Sequence, residues 1–131
     1  MILIDDSAFP FVTVRFEGSH DDEEVLAAQE RLDAIRSDAT QRYVVLFDLS
    51  AAAIPSGRQL RLQADWLKRN TPEIRRKVLA NAFVVATPAA QATLKAFFTL
   101  ADAAIPYAVL DDADQARSIL ERYLARERSV A

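Results

Sequence analysis

Ser56 and Gly57 in IPSGRQ, with Asp48 and Ser50 in LFDLS, are the reactive or ligand-binding candidates of this sequence. A serine hydroxyl at a helix start can take a phosphoryl group, whose negative charge would meet exposed N–H groups and the positive end of the helix dipole. The same N-terminus suits a phosphate or carboxylate ligand. A plain structural role serves as well: in Ser56-Gly57-Arg58-Gln59 the hydroxyl accepts from a first-turn N–H while Gln59 reaches back, which is capping-box spacing. One glycine is too few for a phosphate-cradling nucleotide loop. Asp48 falls at the C-terminal end of an apolar run, where open α/β sheets tend to bind ligands. It has no second acid at a fixed spacing and no histidine or cysteine near it in sequence. It therefore reads as an acceptor that fixes the loop rather than as half of an acid–base pair.

Composition narrows the chemistry further. The 131 residues contain no cysteine, which excludes disulfides, thiolate nucleophiles and cysteine-based zinc sites. The single histidine, His20, rules out a multi-histidine metal site or a histidine relay, and it reads as a solvent-exposed neighbour of a helix cap. No metal and no cofactor is expected. About half of the residues are apolar and a quarter charged, as in ordinary globular domains, and the length suits one domain over residues 1–131. The N-terminus has no signal-peptide pattern and no run is long enough to span a bilayer, so a soluble cytoplasmic protein without a transmembrane segment is expected.

The net charge of −3 conceals two opposed blocks. Residues 1–33 carry nine acids against Arg15 and Arg31, and residues 58–77 carry seven bases against Asp65 and Glu73. Such blocks steer a charged partner or form two solvated helix faces. Nucleic acid is disfavoured as a partner, because the acidic segments repel phosphate.

Periodicity shows which strands and helices carry these residues. Met1 to Ile4 and FVTVRFEG (11–18) read as an N-terminal hairpin, the second run alternating with period two. Residues 20–36 switch to helical spacing at Val25, Ala28, Leu32 and Ile35, with acids in the first turn where the dipole favours them. RYVVLFDLS (42–50) is a strand buried on both faces, AAAIP a connector, and Ser56 opens a helix with Leu60, Ala64 and Leu67 inward. Asn70-Thr71-Pro72 is expected to end that helix at about residue 69 and to start another short one. LANAFVVAT (79–87) is a strand, 88–103 a helix with Ala90, Leu94, Phe97 and Ala101 inward, and IPYAVLD (105–111) the last strand. Asp112 caps a final helix. The predicted fold is α/β: a mixed, mostly parallel sheet of about five strands with an N-terminal hairpin and flanking helices.

Two apolar features are candidates for contact. Trp66 lies off the inward stripe and one turn from Leu62, so the two form a semi-exposed strip flanked by Arg58, Arg61, Lys68 and Arg69. Aromatic and arginine side chains commonly anchor interfaces. Alternatively the 72–80 segment covers the strip, or the helix touches anionic membrane, for which its amphipathic character is weak. Phe97 and Phe98 are adjacent and cannot both face the sheet squarely. Core packing with one at a helix or subunit contact is the simpler reading, and an apolar ligand pocket the other.

This order of elements, with FVTVRFEG, YVVLFDLSAAAIPSG, FVVATP and PYAVLDDADQARSIL, resembles the STAS fold of anti-sigma-factor antagonists and their uncharacterised bacterial relatives over roughly residues 10–125. In the antagonists a strand ending Asp-Leu-Ser leads to a loop carrying Asp-Ser-Ser-Gly, in which a serine is phosphorylated by a partner kinase. Asp48-Leu49-Ser50 matches the strand end, and Ser56-Gly57 falls where the phospho-acceptor and glycine would be. The loop here is about two residues shorter, Pro55 replaces one serine, and the preceding acid is missing. The resemblance implies a non-enzymatic regulatory or scaffold module acting by protein–protein interaction through the 56–69 face, with a homodimer as one assembly. The rival expectation is a small-molecule or lipid carrier with a pocket between the sheet and the 88–103 helix, as held for some STAS-like relatives.

Overall fold

A computed structural model describes residues 1–130. Its five strands lie in one sheet in the order β1-β2-β3-β4-β5, which is also their order along the chain. β1 (Ile2–Asp5) pairs antiparallel with β2 (Phe11–Gly18), and β3 (Tyr43–Ala52), β4 (Val78–Val84) and β5 (Tyr107–Leu110) follow in parallel. The expected mixed sheet with an N-terminal hairpin is what forms. α1 (Asp22–Asp38), α2 (Gly57–Lys77) and α3 (Pro88–Leu100) are the crossovers between successive parallel strands. Because parallel connections are right-handed and each step moves the same way across the sheet, these three helices share one face. α4 (Ala113–Val130) follows the last strand and covers the other.

The two faces are packed differently. Against α4 the sheet presents Val44, Leu46, Ala80, Ala82 and Val84, and α4 answers with Ala116, Leu120 and Leu124. Small alanines on both surfaces let the helix lie close, and burial of Leu120 alone contributes about 2 kcal/mol. On the opposite face Tyr43, Phe47, Phe83 and Tyr107 stand up from the strands. α2 and α3 rest on these large side chains and make far fewer close approaches to the sheet than α4 does.

Several boundaries differ from the sequence reading. α2 runs unbroken through Pro72, rather than ending at residue 69. An interior proline removes one backbone bond and crowds the preceding turn. Here Asn70 Nδ2 donates to the Trp66 carbonyl at 2.8 Å and Thr71 Oγ1 to the Leu67 carbonyl at 2.8 Å, so the two side chains before the proline tie back to the preceding turn. Beyond it, buried Ile74 and the Arg75 and Lys77 bonds to Ala104 and Ala39 carbonyls anchor the last turns. β3 continues past Ser50 to Ala52, because Ala51 and Ala52 pair with Glu17 and Gly18 beyond an irregularity. β4 begins at Val78 and ends at Val84, three residues short of the expected end, and α3 stops at Leu100.

Candidate functional site

The side chains brought together by the α2–α3 face enclose a cavity of about 210 Å³. Its sheet wall is Tyr43, Val45, Phe47 and Leu49 on β3, Asn81 and Phe83 on β4 with Val78 beyond a register irregularity at the start of that strand, and Tyr107 on β5. Period two sends the intervening residues to α4. α2 contributes Leu60, Trp66 and Leu67, and α3 contributes Ala90, Leu94, Phe97 and Phe98. Aromatic rings organise the α3 end. Phe83 stacks on Phe47 with centroids 5.0 Å apart and meets Phe98 edge-on at 5.6 Å, and Phe98 stacks on Tyr107 at 4.4 Å. Tyr107 is 44 % exposed and Ile54, at the mouth near the start of α2, 61 % exposed, so the cavity is open rather than sealed.

Phe97 and Phe98 both line this cavity, and both are half-buried. Trp66 is not a free strip on α2. Its Nε1 donates to Asp33 Oδ1 at 3.1 Å, and the Arg36 guanidinium lies 5.8 Å from its ring centre. Arg36, 7 % exposed, also donates to Asp33 at 2.7 Å and to Asn70 Oδ1 at 2.9 Å. α1 therefore covers Trp66, which also packs against the cluster containing Ile74 and Val78 of the 72–80 segment, and Leu62 beside it is half-buried. Arg61 and Arg69 remain exposed, while Arg58 is engaged by Asp22 at 2.9 Å.

Ser56 is exposed and caps α2, its hydroxyl accepting from the Gln59 N–H at 3.2 Å. The reciprocal half of the capping box is absent, because Gln59 Nε2 donates instead to the His20 carbonyl at 2.7 Å. Gly57 has no positive φ and open space where a Cβ would lie, so nothing in the backbone demands glycine there. Asp48 Oδ1 accepts from the Ser50 N–H at 3.0 Å and from its hydroxyl at 2.6 Å, while Arg15 Nε lies 3.8 Å from Oδ2. This is a loop-fixing arrangement, set before the end of β3 rather than at it. His20 is half-buried against Phe16 at 5.4 Å, not solvent-exposed, and its Nδ1 is buried without a partner. Burial first, and then the N-terminal ammonium, hold its proton affinity below the ordinary value. Burial likewise raises the Tyr43 phenol to about 12, with Asp33 adding to the rise and Arg36 opposing it.

Asn81 is the residue of this site that periodicity passes over. Its one sequence signal is an amide interrupting an apolar strand, in phase with Phe83. Among the described residues no group of three His, Cys, Asp or Glu could hold a metal ion, and no helix is long and apolar enough to cross a membrane.

A parallel sheet in sequential order, opened by an antiparallel hairpin strand and closed on its second face by a C-terminal helix, is a STAS-like architecture. The chain has the SpoIIAA-like fold. Among solved structures it is similar to an uncharacterized protein of the DUF3478 family with a SpoIIAA-like fold from Shewanella loihica PV-4. The TM-score is 0.65 at 14% identity, with 92% of each chain covered. No family model matches the sequence. No curated protein matches it either.

Proposed function

We propose that this chain, acting as one STAS-like domain over residues 1–131, is a non-enzymatic binding module that holds a small apolar molecule between its sheet and α2–α3. The cavity carries this reading. Ligand sites are typically concave, largely apolar and preformed, with a few polar groups that fix orientation. The space of about 210 Å³ is walled by aromatic and aliphatic side chains and opens beside exposed Ile54. Titration of the full chain with the neutral two-ring fluorophore 1-naphthylamine tests it. Saturable binding with one site per chain, displaced by another small hydrocarbon, is expected. Emission that rises without saturating overturns the reading.

A second reading is supported by the basic outer face of α2, where Arg61 and Arg69 point away from the core. It is a cytoplasmic regulatory module that docks an acidic protein surface through these residues, forms a homodimer, or has its docking altered by phosphorylation of Ser56. Light scattering after size exclusion on the wild type and on Arg61→Glu with Arg69→Glu measures the self-association part. An identical monomer mass for both removes the dimer.

A further inference from the structure

Asn81 stands in the middle of β4, on the cavity face, with Phe83 next along the same face. Its carboxamide oxygen is buried and has no hydrogen-bond partner. A polar group in such a place costs stability, because its bonds to water are lost on folding and nothing replaces them. Unexplained buried polar atoms in a protein interior call for a physical account, and an incoming ligand group is one. An asparagine χ2 torsion is soft, so the carboxamide can offer either its oxygen or its NH2 to the cavity. A hydroxyl answers both, since it donates and accepts. A carboxylate answers only the NH2, and it would enter a wall with no cation to spare: Arg36, the guanidinium lining the cavity, is already bonded to Asp33 and Asn70.

Size and shape narrow the ligand further. An apolar cavity of about 150 Å³ takes up one benzene molecule. The 210 Å³ here is larger by roughly the proportion that a second fused ring adds. Phe47, Phe83 and Phe98 make this part of the wall aromatic, and aromatic rings favour offset-stacked and edge-to-face neighbours of their own kind. Resting on the cavity reading proposed above, we infer that Asn81 makes this a site for a neutral, two-ring aromatic molecule bearing one hydroxyl, and that it selects this molecule over the bare hydrocarbon and over the corresponding carboxylate.

Calorimetric titration of the full chain with 2-naphthol, naphthalene and 2-naphthoate tests this. A featureless apolar cavity prefers naphthalene, because the naphthol hydroxyl must leave water without recompense. With Asn81 as its partner, 2-naphthol is expected to bind about tenfold tighter than naphthalene, the size of one net hydrogen bond, and 2-naphthoate weakest of the three. In Asn81→Leu, which keeps the same branched arrangement of heavy atoms without the polar ones, the order of naphthol and naphthalene inverts. Asn81→Ala gives the same inversion should the leucine variant fail to fold. His20→Phe removes the other unpartnered polar atom of the cavity wall, so the order read in it separates Asn81 from His20 as the partner of the hydroxyl. Naphthalene bound as tightly as naphthol by the wild type, a preference that survives in Asn81→Leu, one lost in His20→Phe, or 2-naphthoate bound tightest overturns the role of Asn81 and leaves the cavity reading standing. Failure of all three compounds to bind the wild type overturns both.

Discussion

Replacing Ala90 by leucine places three more carbons on the α3 wall of the cavity, where Ala90 packs beside Phe83, Val85 and Leu94. In a closely packed core such an insertion strains its neighbours and destabilises. Into vacant space the sign reverses. Three buried carbons contribute up to about 2.4 kcal/mol at roughly 0.8 each. Ordering the leucine side chain costs about 0.5–1 kcal/mol, and the slightly lower helix propensity a few tenths more. Ala90 is only half-buried, so part of the new side chain stays wet and the net gain is about 1 kcal/mol. For a chain of this length that corresponds to a rise in Tm of roughly 3–5 °C. The same leucine occupies ligand space, so affinity for 1-naphthylamine should drop at least about tenfold, a loss of 1.4 kcal/mol or more. Circular dichroism melting and fluorescence titration of one preparation read both quantities. A lower Tm with unaltered affinity would show instead that the position-90 side chain meets packed atoms rather than the cavity.

Other outcomes follow from the polar contacts. Asp33→Ala removes the acceptor shared by Trp66 and Arg36, and with Asp33 partly open to water the expected loss is about 2 kcal/mol, with a red shift of Trp66 emission as a second readout. Ser56→Ala should cost about 1 kcal/mol through the lost cap, whereas Ser56→Asp, which can still accept from the Gln59 N–H, should restore most of it; equal melting of all three proteins would dispose of the cap. For His20 the folded state holds the proton less tightly than the unfolded chain, so its contribution is fully present above pH 6.5 and is lost as pH falls from there to its own lower folded value. Because the chain has one histidine, a decline in Tm between pH 7 and 5.5 that disappears in His20→Gln identifies it.

Much of the fold was legible because it depends on local rhythm. The period-two run FVTVRFEG, the continuous apolar run YVVLF and the 3.6-residue stripe of Leu60, Ala64 and Leu67 each fix an element before any tertiary contact is considered. Right-handed crossovers then leave few ways to arrange the strands. Ser56 and Asp48 were readable for the same reason, since each acts on backbone within three residues of itself. Pro72 was not, because whether a proline ends a helix depends on what holds the far side, and here that is Ile74 in the core and Arg75 against residue 104.

By itself, then, the sequence determined where the chain pleats and coils, which faces are apolar, and that thiol and multi-histidine chemistry is absent. Tertiary structure alone decided which distant side chains meet. It set Trp66 and Arg36 against Asp33 across two helices, turned Gln59 from its own cap to the His20 carbonyl, and brought Phe47, Phe83, Phe98 and Tyr107 around one space with Asn81 in its wall. The physical reason is that periodicity specifies a direction for each side chain but not the distance to what it faces. That distance depends on the bulk of the residues between the layers: alanines bring α4 close, and aromatic rings hold α2 and α3 away.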